Sequence, residues 1–66
     1  MSYDDFRDKV RATISQTGRP MTWTEIRTLV GLTQLFPNNQ WVRRLEKDMG
    51  LVREKDAFGI IHWRLS

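Results

Sequence analysis

The chain is predicted to fold as a small α+β domain: three helices, then a two-stranded antiparallel hairpin. Three observations predict this. Apolar residues recur at spacings of three and four as far as Met49 and alternate after Gly50, so the period changes from helical to extended there. Cap and stop residues divide the helical part into three segments. Asp56-Ala57-Phe58-Gly59 separates the two alternating runs as a hairpin turn would. No repeat, linker or low-complexity stretch interrupts residues 1–66, so a single domain is expected.

The first helix is expected over about residues 3–17. Ser2 and Asp5 stand at capping-box spacing, and Asp4 adds negative charge to the positive first turn. Tyr3, Phe6, Val10 and Ile14 form one buried stripe, and Gly18 with Arg19-Pro20 stops the helix. Pro20-Met21-Thr22 is too short for an independent element and is compatible with a brief extended edge strand. Thr22 and Glu25 repeat the capping-box spacing ahead of Ile26, Leu29 and Val30, which gives a two-turn second helix ended by Gly31. In the connector Leu32–Phe36, Leu35 and Phe36 are expected to plug the core. Pro37 suits a helix start, and Asn38 or Asn39 suits its cap.

The third helix, about residues 38–49, segregates its side chains. With Trp41 at zero and ~100° per residue, Leu45, Met49 and Val42 fall within roughly 100° of it. Arg43, Lys47 and Gln40 cluster at roughly 200–260° on the same wheel, with Arg44 on the flank. Beyond Gly50 the strands are Leu51–Lys55 and Ile60–Leu65. Ile61, Trp63 and Leu65 share the face expected to cover the helices, while Ile60, His62 and Arg64 share the other.

Composition narrows the function classes. A chain of this size buries only about 60% of its unfolded surface, so its large apolar side chains must carry the fold. Cysteine is absent, and His62, the only histidine, cannot ligate a metal alone. The net charge is +3, and eight of the eleven basic residues are arginine, the side chain suited to bidentate phosphate or guanine contacts. Eight acidic residues offset them, so charge alone also suits an ordinary mixed surface. No apolar run approaches the ~20 residues of a membrane span, and the acidic N-terminus lacks the order of a secretory signal. An intracellular location is expected by default. There is no phosphate-cradling glycine loop, and a Ser or Thr nucleophile would have only His62 as its usual base. No enzyme activity, cofactor, metal or small-molecule ligand is expected.

The order helix, brief strand, helix, helix, hairpin resembles the winged helix-turn-helix DNA-binding superfamily over nearly the whole chain. Trp41-Val-Arg-Arg-Leu-Glu-Lys-Asp-Met-Gly-Leu-Val-Arg is similar to the passage from third helix into wing in many prokaryotic members, and Pro20-Met-Thr-Trp-Thr-Glu-Ile to the strand leading into helix two. The resemblance implies a third helix in the major groove of double-stranded DNA and a wing along the backbone or minor groove. A chain of this length is expected to be either a small stand-alone protein or a module of a longer one, such as a regulator, recombinase, nuclease or helicase. The connector from Gly31 to Asn38 is longer than the turn of a simple helix-turn-helix.

The candidate DNA-binding residues are Asn39, Gln40, Arg43, Arg44, Lys47, Arg53, Lys55 and Arg64. Arginine pairs with guanine and Asn or Gln with adenine, each good pair discriminating by ~1–3 kcal/mol. The competing reading of the helix is a solvated face, with Arg44 occupied by Asp48 four residues on. Asn38 and Asn39 compete with a capping role. Arg53, Lys55 and Arg64 suit either a basic ribbon on phosphates or charge that blocks edge aggregation. Arg27 and Thr24 are weaker candidates for a phosphate contact. Phe58 is expected to fold back beside Ile60, the alternative being an exposed ring against a groove or a protein. His62 reads as a surface strand residue. Trp23, Trp41 and Trp63 read as core, with base stacking left open for Trp23. Double-stranded DNA is the expected partner, a protein partner or the remainder of a larger chain the alternative, and single strands a third option.

Overall fold

The computed structural model describes all 66 residues. Its elements are α1 (Tyr3–Thr17), β1 (Met21–Thr22), α2 (Trp23–Val30), α3 (Asn39–Met49), β2 (Leu51–Lys55) and β3 (Ile61–Leu65). The α+β class holds, but the sheet has three antiparallel strands in the order β1-β3-β2 rather than two. The hairpin alone exposes a free edge on β3. Met21 fills it by pairing with Trp63, and both side chains are buried.

Local chemistry sets each boundary. The Ser2 hydroxyl accepts from Asp5 N at 3.2 Å. Thr22 and Glu25 close a complete capping box: Thr22 Oγ1 accepts from Glu25 N at 3.2 Å, and Glu25 Oε1 from Thr22 N at 3.1 Å. Asn38 Oδ1 accepts from the Gln40 and Trp41 amides at 3.0 and 3.2 Å, so Asn38 caps α3 and Asn39 is its first residue. Gly50 ends α3 in the left-handed region, φ 66°, and a side chain there would collide with Ser66.

The core joins one face of every element. The α1 stripe Tyr3, Phe6, Val10 and Ile14 meets Met21, Ile26, Val42, Leu45, Leu51 and Trp63. Trp23 and Trp63 stack with ring centroids 5.4 Å apart. Trp41 packs against the core between Tyr3 and Phe6.

Five apolar expectations are corrected. Ile61 is exposed at the start of β3 instead of covering the helices, because the hairpin there runs past the core. Leu29 is exposed despite its helical spacing, because only Ile26 and Val30 of its group turn toward α1 and the sheet. Leu35 and Phe36 do not plug the core. Leu32 takes that place, turned inward where its amide bonds Arg27 O at 2.8 Å, and Trp23 closes the same side by donating its indole N–H to Gln34 O at 3.3 Å. Phe58 does not fold back. The hairpin runs past the core, its last pair being Lys55 with Ile61, and the tip lies beyond.

The Arg19 guanidinium, 2.6 Å from Glu25, and then the Thr22 amide hold the Glu25 carboxyl at about 2, below its ordinary 4.5. A lowered folded-state value stabilises above the unfolded one, and the benefit is lost as pH falls from about 4.5 toward 2. Because the carboxylate is 36% exposed, screening limits the ion pair, and Glu25→Gln is expected to cost only about 1 kcal/mol at neutral pH. Urea unfolding of both proteins at pH 7 and pH 2.5 checks this. The difference should narrow at the lower pH, and a constant difference would refute the assignment.

Candidate nucleic-acid interface

Three things hold α3: its buried side, where Val42 and Leu45 are fully covered, and two flanks, each tied to a different element. On the α1 flank the Tyr3 hydroxyl donates to Asp48 Oδ2 at 2.7 Å, and the Arg44 guanidinium lies 3.7 Å from the Tyr3 ring centroid. Burial, and then the hydrogen bond to Asp48, push the Tyr3 phenol up, which keeps it a donor. On the wing flank Glu46 pairs with Arg53 of β2 at 3.4 Å. Both acidic residues of α3 are therefore drawn sideways into contacts within the domain.

Between these flanks lies an outward row of Gln40, Arg43 and Lys47, all exposed. Neither Arg43 nor Lys47 has a carboxylate within ion-pair distance. Asn39, relieved of capping, is exposed at the N-terminal end of the same helix. Arg44 is not taken by Asp48; it is stacked on Tyr3, a cation–π interaction of about 0.5–1 kcal/mol at such an exposed site, which helps hold α3 against α1. Nothing in the one-dimensional pattern joins residues 3 and 44, so this stacking is illegible there.

The wing residues separate. Arg53 is registered with Trp63 and Lys55 with Ile61, which puts both on the helix-facing side of the sheet. Arg64 is registered with Val52, on the opposite side. There it binds Glu54 at 2.6 Å. Of the two readings of Arg53, Lys55 and Arg64, the single basic ribbon thus does not form. Lys55 is exposed and without a carboxylate partner, whereas Arg53 is shared between Glu46 and the Trp63 ring.

The back of the sheet pairs its charges internally except for Lys55. Arg19–Glu25, Arg64–Glu54 and His62–Asp56 pair at 2.6, 2.6 and 2.9 Å around a depression of about 480 Å³, which Lys55 lines without a partner. His62, together with the Ile60 and Phe58 amides, holds the Asp56 carboxyl below its usual range. No group of three or more His, Cys, Asp or Glu is arranged to hold a metal ion, and no helix is long and apolar enough to cross a membrane. Compared with protein-family models, curated proteins and solved structures, the chain matches none.

Proposed function

We propose that the chain is a winged-helix module that binds double-stranded DNA, with α3 in the major groove and the β2–β3 hairpin, residues 51–65, as a wing along the backbone. One observation carries the reading: the carboxylates of α3 are anchored to its two flanks, leaving Gln40, Arg43 and Lys47 as an exposed row without negative charge. A helix held by its buried side and presenting these groups matches the width and base-edge chemistry of the major groove. Asn39 extends the row, Lys55 adds a backbone contact from the wing, and Arg44 with Tyr3 sets the helix angle. The element order supports the winged-helix assignment. Such a partner places the protein inside the cell.

A second reading, docking to a protein, is favoured by the exposed rings of Phe36 and Phe58. Salt separates the two. If Arg43, Lys47 and Lys55 each neutralise one phosphate, log affinity for a random duplex should fall against log salt with a slope of about −3. Fluorescence anisotropy across a salt series reads it directly. No binding at low salt, or binding indifferent to salt, overturns the DNA reading and leaves protein docking.

A further inference from the structure

Exposed apolar surface is concentrated on the connector and the wing. Leu35 and Phe36 of the connector are 70% and 82% exposed, and Phe58, Ile60 and Ile61 of the wing 89%, 49% and 40%. Phe36 and Pro37 face Ile60 and Ile61 across a groove of about 310 Å³ that also reaches the stacked Trp23 and Trp63. Phe58 stands at the hairpin tip, next to Gly59 on the rim of this groove.

An exposed phenylalanine on a loose loop collapses onto nearby apolar surface. Here the tip lies beyond the last strand pair, on a backbone ordered by its turn. Asp56 Oδ1 accepts from the Phe58 amide at 2.8 Å and the Ile60 amide at 3.0 Å, and Oδ2 lies 2.9 Å from His62 Nε2. Asp56 N donates to Ile60 O at 2.9 Å, and Gly59 N to Asp56 O at 3.1 Å. The backbone of the tip is therefore ordered by its turn, and Phe58 stands 89% exposed on it.

The surroundings of the ring select its ligand. Lys55, immediately before the turn, is exposed and unpaired, and Arg53 is next along the same face and joins the wing to α3. An apolar groove with Arg53 in its wall and an unpaired Lys55 beside the tip complements a polyanion that carries flat apolar groups, which is a nucleic acid. Each wall of the groove is only two or three residues long, the scale of one ring rather than of a docked helix.

We propose that the wing tip is a preformed wedge for a deformable or mispaired duplex. With α3 in the major groove, Phe58 enters a neighbouring base step and partly unstacks it, and the groove between Phe36 and Ile61 receives the displaced base. Apolar side chains inserted in this way kink duplexes, and a mispaired step yields most readily because its stacking is already weakened. The inference rests on the duplex-DNA reading above.

Two short duplexes test it, identical except for one central mismatch flanked by 2-aminopurine. The intact protein should bind the mismatched duplex about tenfold more tightly and brighten the 2-aminopurine as its base unstacks. Phe58→Ala should lose that preference and the fluorescence change, while holding the paired duplex within about threefold of the parent. Leu29→Ala, which removes an exposed apolar side chain from α2, should keep the parent's preference. Equal binding of both duplexes by the parent, or a preference that survives Phe58→Ala, overturns the wedge and leaves the duplex reading standing. Failure of the parent to bind either duplex overturns both.

Discussion

Replacing Arg43 and Lys47 together by alanine is expected to weaken duplex binding about thirtyfold, taking about 1 kcal/mol for each contact, the low end of what a base contact supplies. The fold should survive, because both side chains are exposed and neither makes an ion pair within the domain. Alanine also suits a helix interior, so the helix itself loses nothing. The salt slope should fall by about 2, one counterion's worth for each cation removed. Arg64→Ala is the matched control. It removes one positive charge where the double variant removes two, and that charge lies on the opposite side of the sheet, already bound to Glu54. If net charge alone drove binding, the control would lose as much per charge as the double variant. If the helix row drives it, the control should lose almost nothing. Equal losses per charge, measured by anisotropy at one fixed salt, would refute the interface drawn here.

Trp63→Ala is expected to unfold the domain. Trp63 is 1% exposed, sits at the middle of the central strand, is registered with Met21 on one side and Arg53 on the other, and stacks on Trp23. Truncating a fully buried tryptophan costs about 3–5 kcal/mol. A chain of this length is stable by only about 3–10 kcal/mol in total. No disulfide makes up the loss. Far-ultraviolet circular dichroism during urea titration should show the variant largely unfolded or melting at very low denaturant. A cooperative transition within about 1 kcal/mol of the parent would mean that β3 does not close the core.

The helices are legible in the chain because their signals are local. The capping pair Thr22 and Glu25, the α1 stripe and the Asn38 cap involve residues within a few turns of each other, and each appears as its spacing implies. The opposed faces of α3 are legible for the same reason, since a helix wheel follows from chain geometry alone. The exposed tip is less so. Asp56 at the head of the turn and Gly59 at its end are turn chemistry visible in the chain, and they order the backbone that carries Phe58. Hydrophobicity alone favours burial of that ring, and its distance from the core, which pattern does not carry, decides against it.

Caps, periods and the change at Gly50 are set by the sequence itself, since they depend on torsions and hydrogen bonds between near neighbours. Tertiary structure alone decides how the charges are paired. Glu46 meets Arg53, Asp48 meets Tyr3, and Arg64 turns away from Lys55, because strand register and helix docking bring together residues from 7 to 45 positions apart. Pattern cannot state these pairings, for a carboxylate takes whichever cation or hydroxyl the packed backbone brings within reach.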